Sequence, residues 1–308
     1  MFAAVELDLF TALGDGPATV EQIGRAIGVP SPRLRLLLNA LVAADLLAAD
    51  GERFANTPEA ERYLVRGRPE FIEHRLEMLL QQLQTVQRSA ESIRAGRPLN
   101  EADFHHMNDD ALALYYRGTH PATLASASRL LAQHEFSNVE RLLDAGGGTG
   151  GLAITFARAL PTLSATVVEL PRVAAITREF VREAGLEDRI DIVAQSFVDQ
   201  PLTGAYDLAI SRACLQVLSE DQVRRGILHI GEAVRPGGRL IIIGAILDDS
   251  RRTPTRAVHY NLLAINIYKD GEAYTVSQYQ SWLEEAGFGE LELAMENQDR
   301  LLAARKLR

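Results

Sequence analysis

Apolar residues recur at helical spacing through the first third of the chain, then give way to short apolar runs separated by amphipathic stretches. Thr19-Val20-Glu21-Gln22 reads as a capping-box start, with a Thr cap and a Gln three residues later. Ser31-Pro32 opens a second helix on which Leu34, Leu37, Leu38, Leu41 and Val42 repeat at helical spacing. Asp50-Gly51 marks a hairpin turn between residues 46–48 and 53–55, and Thr57-Pro58 caps another helix. Two short helices and a small hairpin predict a winged helix. Residues 70–98 are expected to form one long helix carrying Leu76, Leu79, Leu80 and Leu83, ended by Gly96 and Pro98. A polar loop over 101–110 and two helices, over 112–118 and 121–133, follow.

From about residue 138 strands and helices alternate, with apolar runs at 141–145, 165–169, 190–194, 207–211 and 239–244. That alternation predicts a mostly parallel sheet covered by helices on both faces. Two closing runs, 290–293 and 301–304, are near enough in sequence to pair as an antiparallel hairpin. The fold class is therefore α/β: a Rossmann-like sheet preceded by an α-helical winged-helix domain.

At 308 residues, 47% of them hydrophobic, the chain can bury a real core and form two domains. Its 41 acids exceed its 32 Lys and Arg, a net charge of −9 that repels nucleic acid and anionic membrane. The winged helix offers Arg33 and Arg35 on its candidate recognition helix but little else basic, so dimerisation is favoured over DNA reading. Cys214, the single cysteine, supports neither an internal disulfide nor a thiolate metal site. No apolar run reaches the roughly 18 residues of a membrane span, and the start lacks a basic signal-peptide region. These features point to a cytoplasmic enzyme.

The candidate chemistry begins at Asp144-Ala145-Gly146-Gly147-Gly148-Thr149-Gly150-Gly151, which joins the first strand of the sheet to its first helix. Glycines there let the backbone approach a ligand, and Glu169, ending the next strand, can accept from ribose hydroxyls. A nucleoside-containing ligand is expected. Gly146, Gly148 and Gly151 also satisfy the dinucleotide spacing, but a pyrophosphate beside Asp144 is a poor electrostatic match. S-adenosylmethionine carries an ammonium, a sulfonium and no phosphate, so a carboxylate there is welcome. The terminal hairpin also suits a methyltransferase better than a dehydrogenase.

At these residues the chain resembles the S-adenosylmethionine-dependent O-methyltransferases of the caffeic-acid and acetylserotonin type, with bacterial relatives acting on polyketides and pigments. The matching words are Leu142 to Gly150, Val168-Glu169-Leu170-Pro171-Arg172-Val173, Val234 to Leu240 and Ala286-Gly287-Phe288, with Tyr115-Tyr116-Arg117-Gly118 similar to the family's F-N-R-G-M segment. The resemblance covers nearly the whole chain. It implies a class I methyltransferase domain over 138–308, a winged-helix dimerisation domain over 1–98 and a helical connector over 99–137 lining the acceptor pocket. By the same resemblance Asp144, Gly146, Gly148, Glu169 and Leu170 belong to the cofactor site, with Ser196 and Phe197 around the adenine. Ser196 stands where the family places an Asp, and Arg212 where plant members keep a cofactor-facing Lys. Tyr115 and Thr119 match acceptor-lining positions, and Tyr268 is expected beside them. A homodimer with a small-molecule acceptor is implied.

The departures fall on the catalytic machinery. The family's general base is a His, and Gln216 takes its place; Gln cannot accept a proton as a base. The supporting Glu positions hold Gly244 and Ala273, with Glu272 adjacent to the second. No catalytic residue is therefore assigned. Gln216 either orients the acceptor by hydrogen bonding or lies at the surface or one layer behind the site. His105, His106, His120 and His259 are candidates for a relocated base, and their spacing matches no metal-binding pattern. A methyltransferase acting on a small aromatic or polyketide-like acceptor that needs no base is the first reading. Hydroxylation, decarboxylation or pericyclic chemistry, with the cofactor as a bound charge, is the alternative.

Overall fold

The computed structural model describes every residue except Pro69, Asn100, Asp103, His105 and Arg308. The described residues form two compact units, Met1–Leu80 and Gln81–Arg308. In the first, helices α1 (Phe2–Glu6), α2 (Leu9–Ala12), α3 (Val20–Ile27) and α4 (Ser31–Ala43) surround a small antiparallel sheet. Its strands are β1 (Ala18–Thr19), β2 (Leu47–Asp50) and β3 (Arg53–Asn56), in the order β1-β3-β2, and α5 (Pro58–Tyr63) follows. Thr19 and Gln22 close the expected capping box on α3, and Asp50 pairs with Arg53 across the hairpin turn. Phe10, Leu13, Ile23, Leu34, Leu38, Leu41 and Phe54 form the core of this winged helix.

Two helices replace the single one expected over 70–98: α6 (Glu73–Val86) and α7 (Ser89–Ala95). The break is anchored by α12 (Thr255–Ile267), whose Asn266 amide donates to the Ser89 hydroxyl at 2.8 Å and accepts from Ser92 at 2.8 Å. Ser89 in turn donates to the Val86 carbonyl at 2.7 Å, ending α6. The reverse correction applies to the two helices expected over 112–133, which are one helix, α8 (Asp109–Gln133), running through Pro121. Pro121 stands on the exposed side, while Gly118, Ser126, Ala127 and Leu130 are buried in tertiary packing that outweighs the missing N–H.

The second unit is built on a seven-stranded sheet in the order β6-β5-β4-β7-β8-β10-β9. Its strands are β4 (Arg141–Ala145), β5 (Ser164–Glu169), β6 (Ile190–Ala194), β7 (Tyr206–Arg212), β8 (Val234–Gly244), β9 (Phe288–Glu296) and β10 (Asp299–Lys306). Strands β4 to β8 pair in parallel, and the terminal hairpin β9–β10 joins antiparallel to β8, as the sequence predicts. α9 (Gly151–Ala159) and α10 (Pro171–Glu183) cover one face with α8, and α11 (Glu220–Ala233) and α13 (Val276–Glu285) cover the other. The chain moves outward from β4 through β5 to β6, then returns to place β7 on the opposite side of β4. Ligands of open α/β sheets bind at the carboxyl ends beside such a reversal. Among the described residues no helix is long and apolar enough to cross a membrane.

Candidate active site

A cavity of about 420 Å³ opens at the carboxyl ends of β4, β5 and β7. The backbone forms its floor. Gly146, Gly148 and Gly150 have φ of 69°, 58° and 71°, left-handed conformations that β-carbons disfavour. A Cβ on Gly146 would come within 2.3 Å of the Cys214 sulfur, and one on Gly148 within 3.0 Å of the Tyr116 ring. Thr177 fixes the bend from α10 by donating to the Gly148 carbonyl at 2.6 Å.

Two carboxylates flank this floor. Glu169, 7% exposed, accepts from the backbone N–H groups of Gly148 at 2.9 Å and Leu170 at 2.7 Å. Burial raises its pKa, and these two backbone donors oppose the rise. Asp144 is 1% exposed, and its Oδ2 has no hydrogen-bond partner. Burial, with a smaller contribution from Glu169, pushes its carboxyl up to about 7, against the pull of the Ala153 N–H and Arg212.

Arg212 supplies the opposite charge from the end of β7. Its Nη1 donates to Thr123 at 3.4 Å, and its Nε is buried with no partner. Burial lowers the guanidinium's pKa, while Asp299, Glu296 and Asp144 favour its charged form. At the other end, Ser196, Phe197 and Leu170 line the cavity. The Ser196 hydroxyl is occupied in accepting from the Asp199 N–H at 3.2 Å, which brings Asp199 to the cavity wall. Asp199 was not singled out from sequence; the available signal was an acid three residues beyond the position that lacks one.

Tyr115, Thr119 and Tyr268 line the cavity, as does Tyr116, which sequence reasoning passed over. Phe104 packs edge-on against Tyr115, with centroids 5.3 Å apart, and makes an aromatic wall with it. Gln216 is not part of this lining, although its amide approaches the Tyr260 hydroxyl. It lies in the 3₁₀ turn Leu215–Val217, and its Oε1 accepts from the Ala245 N–H at 2.7 Å. A Cβ on Gly244 would lie 2.3 Å from that oxygen, so the glutamine fills room that only glycine leaves. This geometry supports the alternative in which Gln216 stands behind the pocket rather than against the acceptor. Gln216→Ala is expected to lower stability by about 1–3 kcal/mol, because a buried N–H loses its acceptor. Thermal melting should show that loss, while calorimetry shows cofactor affinity unchanged.

Of the remaining candidates for a base, the described ones, His106, His120 and His259, lie outside the cavity lining. His120 Nδ1 is 2.6 Å from Thr149 Oγ1, and the ring packs on Phe180 with centroids 4.2 Å apart. Burial, helped by Arg158, lowers its pKa to about 4. His106 and His259 are exposed, and His105 falls outside the described residues. Ala273 is buried in a small apolar cluster, and Glu272 pairs with Arg251 at 3.3 Å.

Comparison with known proteins fits this geometry. The family model for the O-methyltransferase domain matches residues 93–289, and that for the O-methyltransferase dimerisation domain matches residues 1–66. A 3-hydroxy-5-methyl-1-naphthoate 3-O-methyltransferase of Streptomyces sahachiroi is 30% identical over 94% of this chain and 85% of its own. The N,N-dimethyltransferase OxyT of Streptomyces rimosus is 32% identical over 94% of this chain and 86% of its own. Human N-acetylserotonin methyltransferase, solved in complex with SAM, has the same fold, with a TM-score of 0.82 and 23% identity. That match covers 100% of this chain and 93% of the human one. By its matched domains and by its relatives, this chain belongs to the O-methyltransferase family.

Proposed function

We propose that this chain is an S-adenosylmethionine-dependent methyltransferase that modifies an oxygen of a small, aromatic, polyketide-type metabolite without a protein general base. The observation that carries the reading is the pair of buried, unpartnered polar atoms of opposite charge, Asp144 Oδ2 and Arg212 Nε. Both belong to residues lining one glycine-floored cavity. An amino-acid zwitterion answers both: Arg212 would hold its carboxylate and Asp144 its ammonium. Glu169 would take the ribose hydroxyls, and Ser196, Phe197 and Leu170 would border the adenosine. A dinucleotide pyrophosphate would instead face two carboxylates. When bound, S-adenosylmethionine supplies a methyl group already activated by positive sulfur. The protein's part is then to align the acceptor and exclude water, effects worth several kcal/mol or more. Phe104, Tyr115 and Tyr116 offer flat apolar surface for an aromatic acceptor.

The relatives support the acceptor class, since one of them acts on a hydroxynaphthoate. The dimerisation-domain match supports a homodimer formed through the first unit. Incubation with methyl-labelled S-adenosylmethionine and a panel of naphthols, hydroxynaphthoates, enols and amines tests the reading. Label should appear on an acceptor oxygen, with one S-adenosylhomocysteine formed per product. An absence of labelled product across the panel would overturn it. The loss of the His and Glu set at Gln216, Gly244 and Ala273 favours a second reading, non-methylating chemistry on the same scaffold. Product formed without S-adenosylhomocysteine would decide for that one.

A further inference from the structure

Beyond the glycine floor, the cavity has a wall of phenols. Tyr268 follows the last turn of α12, is 9% exposed and lines the cavity. The Tyr260 ring stacks on it from about two helical turns earlier, with centroids 6.5 Å apart and planes 30° apart. Tyr115 faces the same group from α8. The Tyr260 hydroxyl is buried and faces the Tyr268 hydroxyl and the Gln216 amide. These three side chains come from two separate segments of the chain, and none belongs to the cradle assigned to the cofactor.

We propose that Tyr268 is the catalytic hydrogen-bond donor of this site: backed by Tyr115 and Tyr260, its hydroxyl donates to the acceptor oxygen and holds it as an oxyanion. The inference rests on the methyltransferase reading and names its substrate class, acidic enols and phenols. On binding, the acceptor O–H bond breaks, the electron pair stays on oxygen and the proton leaves to bulk buffer. No protein base has to keep it.

The environment suits neutral donors. Burial raises the pKa of Tyr268 and of Tyr260, so both phenols keep their protons across the neutral range. A neutral phenol in a dry pocket donates strongly to an oxyanion, because little water competes. Around them, Glu101, Lys269 and Asp270 are exposed and solvent-screened. From the strand ends, Arg212 favours an anion, whereas Asp144, Glu169 and Cys214 flank the cofactor half. Donation to the oxyanion reduces its nucleophilicity somewhat but raises the ionised fraction, which is a net gain for an acceptor whose own pKa lies above ambient pH.

The test uses the full-length protein saturated with S-adenosylhomocysteine and 4-nitro-1-naphthol, whose ionised form has a distinct absorbance. The bound naphthol should ionise at lower pH than the free one, by about 1–2 pH units, the range of a hydrogen bond to a charged group. Tyr268→Phe should return the midpoint toward the free value and, with unsubstituted 1-naphthol as acceptor, whose hydroxyl is neutral at ambient pH, lower kcat/KM for methylation about 10–100-fold. Its melting temperature and S-adenosylhomocysteine affinity should match the wild type, showing an intact fold and cofactor site. Tyr260→Phe should move the midpoint in the same direction by less. A bound naphthol that stays neutral, one that fails to bind while S-adenosylhomocysteine binds, or a Tyr268→Phe midpoint equal to the wild type would each overturn the proposal. Failure to bind S-adenosylhomocysteine would instead overturn the methyltransferase reading on which it stands.

Discussion

Cofactor affinity is expected to fall as pH drops through about 7, and Asp144→Asn to abolish that dependence together with most of the affinity. The reason is the position of Asp144 beneath the glycine bend, with one carboxylate oxygen buried and unpartnered. Its carboxyl, pushed up to about 7 by burial, is mostly neutral at pH 6 and mostly ionised at pH 8 in the free protein. An ammonium ligand favours the ionised form. Below pH 7 each binding event must therefore expel a proton, and affinity should fall by up to tenfold per pH unit. Calorimetry in buffers of different ionisation enthalpy reads that proton directly. The neutral amide of Asn cannot pair with the ammonium, a loss of about 100-fold at pH 8.

Stability should respond in the opposite sense. A carboxyl whose folded pKa lies above its unfolded value favours the folded state at low pH. That advantage is lost as pH rises from about 3.8, the unfolded reference, to about 7. At pH 8 the free wild type should thus be less stable than Asp144→Asn, by up to roughly 4 kcal/mol. A variant that melts higher yet binds more weakly would identify the residue as one held in an unfavourable state for its ligand. Wild-type affinity in Asp144→Asn, or a pH-independent wild type, would remove the argument for a zwitterion in this cavity.

What could be read from the sequence was local. Strand, glycine bend, helix and the acid ending the next strand lie within one short stretch, and their types and spacing state the geometry almost directly. The capping box at Thr19 and the hairpin at Asp50-Gly51 are legible for the same reason. Features that depend on distant partners were not. The break between α6 and α7 is tied to Asn266, far along the chain, and continuity through Pro121 comes from burial of the surrounding helix. The same holds for Gln216, whose direction depends on the missing side chain at Gly244. His120 could be read as a free base until its contacts with Thr149 and Phe180 were known. The division has a chemical meaning. The half assigned to the cofactor is built mainly from contiguous strand–turn–helix segments, whereas the acceptor wall brings together Phe104, Tyr115 and Tyr268 from segments that share no motif.

Gly146→Ala should be the most damaging single methyl that can be added to the site. The residue sits at φ 69°, where a Cβ costs about 1–2 kcal/mol on backbone grounds alone. The new carbon would also stand 2.3 Å from Cys214 Sγ, 2.9 Å from Cys214 Cβ and 3.4 Å from the Phe197 ring. Relief requires moving either the turn after β7 or the bend itself, and both border the cavity. The expected result is a loss of about 2–4 kcal/mol in stability and at least about 100-fold in S-adenosylhomocysteine affinity. The two losses can be separated with a second substitution. Cys214→Ala removes the sulfur but not its Cβ, so the double variant should recover part of the stability. The left-handed strain at residue 146 remains, and with it a displaced bend, so affinity should recover little. Recovery of both together would mean that the sulfur clash was the whole effect. Wild-type affinity in Gly146→Ala alone would show that the ligand does not approach this stretch of backbone, and the cavity would then need another occupant.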